Sequence, residues 1–122
     1  MDAREAGRRA EAIAAAYLQG KGWRVVERNW SCAEGELDII AENEEGLVFV
    51  EVKGRRSERY GHPEDAVDAV KQQHLRDAAW RYLLEKGEAD VVWRIDVIAV
   101  RMHPDGCLQE LEHYPFAVGD VD

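Results

Sequence analysis

A chain of 122 residues with 46% hydrophobic content suits one globular core, and it holds no apolar run approaching the roughly 18 residues of a membrane span. A net charge of −9 argues against indiscriminate phosphate binding, which depends on clustered Lys and Arg. The opening MDAREAGRRAEA lacks a signal-like apolar segment, and Cys32 and Cys107 stand far apart without zinc spacing, so one cytoplasmic domain over residues 1–122 with free thiols is expected.

Asp2 followed by Glu5 has the form of a capping box, and Ala6, Ala10, Ile13, Ala14, Tyr17 and Leu18 recur at helical spacing until Gly20 and Gly22. Small residues dominate that stripe, which lets the helix lie close against a sheet. Glu11, one step round, reads on position alone as an exposed helix residue. Residues 23–30, WRVVERNW, predict a first strand, with Ser31 to Gly35 connecting it onward.

The stretch from Gly35 to Lys53 predicts a β-hairpin. Leu37, Ile39 and Ala41 alternate with Glu36, Asp38, Ile40 and Glu42; Val48, Val50 and Val52 alternate with Leu47, Phe49, Glu51 and Lys53. Asn43 to Gly46 are turn-formers. Pairing Glu42 with Leu47 then sets Ile40 against Phe49, Asp38 against Glu51 and Glu36 against Lys53, because the side-chain period of a strand is two. Two carboxylates directly opposed repel unless something joins them, and a divalent cation would do so. Lys53, on the same face, could serve a bound water, which describes a metal-dependent phosphodiesterase centre. A solvated surface hairpin would show the same alternation. What speaks for a site is that Ile40, Leu47 and Phe49 share the charged face, where carboxylates are rare unless paired or metal-bound.

After Lys53, the segment GRRSERYGHP reads as a loop in which Lys53, Arg55, Arg56 and Arg59 face only Glu58, a local charge of +3. Such a run suits a solvated loop as well as a phosphate contact. His62 reads as a loop residue without a fixed partner. A helix is predicted from Glu64 to Lys86, with Val67, Val70, His74, Leu75, Ala78, Ala79, Tyr82 and Leu83 inward, Lys71 near its start and Gly87 at its end. Residues 91–100, VVWRIDVIAV, predict a central strand in which Arg94 and Asp96 read as a structural ion pair or an edge feature rather than as catalytic groups. A turn at Pro104 to Gly106 leads to a last strand over residues 107–113, and a frayed tail is expected after Phe116.

Gly35-Glu36-Leu37-Asp38, Phe49-Val50-Glu51-Val52-Lys53 with Arg55 and Arg56, Tyr60-Gly61, Lys71, Ala78-Ala79, Tyr82-Leu83 and Arg94-Ile95-Asp96-Val97 together resemble the YraN-type family of small bacterial proteins. Gly7 and Glu11 extend the resemblance into the first helix. It implies kinship with archaeal Holliday-junction resolvases and an α/β, restriction-endonuclease-like mixed sheet flanked by helices, in the order α-β-β-β-α-β-β. It further implies a PD-(D/E)xK centre using magnesium or manganese, with Asp38 and Glu51 as metal acids, the Val52 carbonyl as a further ligand, Lys53 as the motif lysine and Glu11 as the helix acid. The residue before Asp38 is Leu37, where the motif name has proline.

The function expected is magnesium-dependent endonucleolytic cleavage of DNA with Arg55, Arg56, Arg59 and Lys71 on phosphates, and the resemblance to resolvases implies branched DNA as a candidate substrate and a homodimer as a candidate acting form. The alternatives are a nucleic-acid-binding module of the same fold with little or no cleavage, and an acidic protein-interaction module that meets a basic partner. Intact acids and lysine favour cleavage; the net charge favours the interaction module.

Overall fold

The computed structural model describes residues 1–55 and 67–118. Helix α1 spans Ala3–Gly20, strands β1, β2 and β3 span Arg24–Cys32, Gly35–Glu42 and Leu47–Arg55, helix α2 spans Ala69–Lys86, and β4 and β5 span Trp93–Met102 and Leu108–Val118. That order, α-β-β-β-α-β-β, is the one expected. The strands form a mixed sheet in the order β1-β2-β3-β4-β5. Neighbours run antiparallel except β3 and β4, which are parallel and joined by the crossover that carries α2.

Each helix covers one face of the sheet. Ala6, Ala10, Ala14 and Leu18 of α1 pack on Ile39, Ala41, Val48, Val50, Ile98 and Val100. Leu75, Ala78, Ala79, Tyr82 and Leu83 of α2 pack on Leu37, Ile40, Leu47, Phe49, Ile95 and Val97. The Asp2 carboxylate accepts the Glu5 N–H at 2.8 Å and so starts α1 as the capping pattern predicts. The stripe of alanines brings α1 so near β3 that a Cβ placed on Gly54 would lie 3.0 Å from the Ala10 Cβ. The hairpin turn is drawn in by Asn43, whose Oδ1 accepts the N–H groups of Glu45 and Gly46.

Several expectations are corrected. The first strand runs on to Cys32, so its turn is the Ala33–Glu34 pair and not a five-residue connection. Helix α2 starts at Ala69, because the Asp68 carboxylate caps it by accepting the Lys71 N–H at 2.8 Å. Val67 is buried ahead of the helix, while Val70 and His74, expected inward, are exposed. The last strand is longer than expected, reaching Val118. Arg56, Arg59, Tyr60, Gly61, His62, Pro63 and Glu64 lie outside the described residues, and Arg55 closes β3 opposite Arg101. Among the described residues no helix is long and apolar enough to cross a membrane.

Candidate active site

The hairpin register is as predicted from Glu42↔Leu47 through Ile40↔Phe49, but the ladder ends at Ile39↔Val50. The Asp38↔Glu51 and Glu36↔Lys53 pairs expected next are not formed. Beyond that point β3 stays with β4, paired as far as Arg55↔Arg101, and β2 stays with β1. The two strands therefore part at Asp38, and the Asp38 Oδ2 accepts the Val52 N–H at 2.8 Å in place of a backbone carbonyl. A strand residue exchanges both of its backbone bonds with one side, so the Val52 carbonyl faces the same fork.

Asp38 can reach across because the alternation of β2 breaks there. Leu37 packs with Ile40 beneath α2, whereas Ile39 and Ala41 pack beneath α1, so a face switch falls between Leu37 and Ile39. The same switch occurs opposite, on β1. Trp30 joins the α2 side and Arg28 reaches Glu11 of α1 at 3.9 Å, with Asn29 between them at φ 54°. A left-handed residue inside a strand is unusual, and asparagine is among the few that tolerate it.

Glu51 keeps the face of Leu47 and Phe49 and is only 4% exposed. Its Oε2 lies 3.2 Å from the Lys53 Nζ and 3.4 Å from the Lys71 Nζ of α2. Burial, and then the nearby charge of Glu51, pushes the Asp38 carboxyl from 3.8 up to about 8, against the opposing pull of the Val52 N–H. Glu11 is likewise raised, chiefly by burial, although Asn29 hydrogen-bonds it and Arg28 offsets part of the shift. Glu36 and Glu51 add to its rise, which places Glu11 at the margin of the same group of acids. Among the described residues no set of three or more His, Cys, Asp or Glu is arranged to hold a metal ion.

The structure thus brings Asp38, Glu51, Lys53, Val52 and Lys71 together at the fork. Arg28 and Asn29 were not foreseen at this site. The signal available for Asn29 was an asparagine inside a strand pattern, where that residue is disfavoured.

A family model described as an uncharacterised protein family, UPF0102, matches residues 10–100, three quarters of the chain and all of the site just described. The chain belongs to the UPF0102 family. This is the YraN-type family that the motif strings indicate. The UPF0102 protein of Pelotomaculum thermopropionicum is 44% identical over 108 residues, covering 88% of this chain and 90% of its own. That of Syntrophotalea carbinolica is 46% identical over 116 residues, covering 95% and 92%. Among solved structures, SfsA of Pyrococcus furiosus in complex with calcium is similar at 21% identity with a TM-score of 0.41, covering 94% of this UPF0102 chain and 64% of that one.

The raised Asp38 carboxyl has a consequence for stability. Between about pH 4 and pH 8 the folded UPF0102 chain holds a proton there that the unfolded chain has released, so stability falls as pH rises through that window. Asn keeps the acceptor for Val52 without the titration. Asp38→Asn should therefore match the metal-free wild type near pH 4 and exceed it by roughly 1–3 kcal/mol at pH 8, read by urea unfolding across the range. A difference that stays constant with pH would show that the carboxyl is not raised.

Proposed function

We propose that this chain is a divalent-metal-dependent phosphodiesterase acting on nucleic acid, an endonuclease of the Holliday-junction-resolvase-like kind with DNA as its substrate. The observation carrying this reading is the meeting of two acids, Asp38 and buried Glu51, where β2 and β3 part, with Lys53 at 3.2 Å from Glu51. The Asp38 carboxyl, whose charge burial and the neighbouring Glu51 disfavour, lies with Glu51 beside an inward-facing carbonyl, an oxygen set suited to magnesium or manganese, which takes one or two protein carboxylates and keeps several waters. Asp38, Glu51 and the Val52 carbonyl would hold the ion.

When bound, the metal would polarise the phosphate and lower the pKa of a water. The remaining work falls to the chain's own side chains. Lys53 can donate to an incoming water or to a phosphate oxygen as charge grows on it, while α2 and the sheet exclude bulk solvent from Glu51. Glu11 supplies a further carboxylate at the edge of the site. Arg55, Arg56 and Arg59 follow Lys53 in the sequence and are assigned to phosphates, where contacts position a substrate without reading its bases. Local cations matter because the whole chain carries −9.

The test is a cleavage screen over branched, flapped, linear and single-stranded substrates with magnesium or manganese, each against a chelator. Cuts that need the metal are expected, with at least one substrate preferred. If nucleic acid binds but stays whole under both ions, the function is that of a binding module.

A further inference from the structure

Its sequence position suits Lys71 to substrate phosphates, yet its Nζ sits 3.4 Å from the Glu51 Oε2, the oxygen that Lys53 also holds at 3.2 Å. The two lysines differ in how they are held. Lys53 leaves β3 two residues from Glu51 and is 23% exposed, whereas Lys71 reaches in from the first turn of α2, directly after its Asp68 cap, with a side chain 38% exposed. Glu51 itself is 4% exposed, so its charge is compensated by these two ammonium groups and little by water.

A divalent cation on Glu51 would bring two positive charges to an oxygen that already faces two, and an ammonium group in contact competes with it for the same lone pairs. Of the two lysines, the solvent-facing one on a flexible four-carbon stem is the one able to leave. The anion nearest to hand is then the phosphodiester that the metal binds. We propose, resting on the metal-site reading above, that Lys71 is an exchangeable counter-ion of the site. Without metal it neutralises Glu51; a divalent cation displaces it onto the substrate phosphate, so that metal and nucleic acid strengthen each other's binding through this one side chain. By linkage, that coupling acts equally in both directions.

The experiment measures manganese binding by electron paramagnetic resonance of the free ion, for wild type, Lys71→Met, Lys71→Arg and Asp38→Asn. Each protein is measured alone and with an excess of phosphorothioate duplex, a cleavage-resistant probe. Lys71→Met should bind manganese about tenfold more tightly than wild type in the absence of nucleic acid, because the competing charge is gone. Lys71→Arg, which restores a cation, should return the affinity toward that of wild type. The duplex should tighten manganese binding to wild type by about tenfold more than it does to Lys71→Met. The proposal is overturned if Lys71→Met and wild type bind manganese equally while Asp38→Asn binds none, since the metal site then stands and Lys71 does not compete for it. If Asp38→Asn binds manganese as wild type does, or if neither wild type nor Lys71→Met binds it, the metal-site reading fails and this inference fails with it.

Discussion

Lys53→Ala should lower metal-dependent cleavage by on the order of a hundredfold or more while leaving substrate affinity within about tenfold. The asymmetry follows from position. Lys53 lies on the face and strand of Glu51, 3.2 Å from its carboxylate, and can act on charge that appears only as the phosphate reacts. Interactions realised in the transition state change turnover, and those shared with the bound substrate change affinity. Glu51→Gln should be at least as damaging, because it removes a metal acid and leaves two ammonium groups facing a neutral amide. Single-turnover cleavage beside a binding titration separates the two quantities. A Lys53→Ala protein that cuts at the wild-type rate would assign the activity to another site or to a contaminant.

The largest loss of stability is expected from Asp96→Ala. Asp96 is fully buried on β4 and accepts from Arg94 Nε at 3.1 Å and Nη2 at 3.3 Å, from the Phe116 N–H at 3.0 Å, and lies 2.7 Å from the His113 Nε2. The His113 ring continues to the Tyr17 hydroxyl of α1 at 3.0 Å. One carboxylate thus ties β4, β5 and α1 together, and it holds Phe116 in a left-handed conformation at φ 55°. Truncation would strand a half-buried guanidinium and the other donors, so a loss of about 3–5 kcal/mol is expected in urea unfolding. A loss below about 1 kcal/mol would show that water or Glu45, 3.2 Å from Arg94, replaces the carboxylate.

Much of this arrangement could be read from residue order because it follows local rules. The alternation around Ile40 and Phe49 set the hairpin register, the alanine stripe set the close face of α1, and the Arg94–Asp96 pair declared itself by charge inside an apolar strand. What escaped was non-periodic. A strict period of two carries Asp38 opposite Glu51, whereas a left-handed Asn29 and a side chain standing in for a ladder carbonyl turn β2 out of phase and end the pairing one step earlier. Lys71 lies 20 positions from Glu51 with the crossover between them, and only the packing of α2 reveals their contact. The start of α2 differs from the pattern for a smaller reason: helical spacing extends back to Glu64, but Asp68 supplies the cap.

The contact between Gly54 and Ala10 bears on more than packing. Gly54 follows Lys53 and Ala10 precedes Glu11, so this close approach of α1 to β3 lies one residue from a proposed catalytic group on each side. It works as a spacer gauge. A methyl added at Gly54 would force α1 and β3 apart by a few tenths of an ångström and shift Glu11 relative to Glu36 and Glu51 without altering any charged side chain. The electrostatics of the acids at the fork are therefore calibrated by two of the smallest and least reactive residues in the chain.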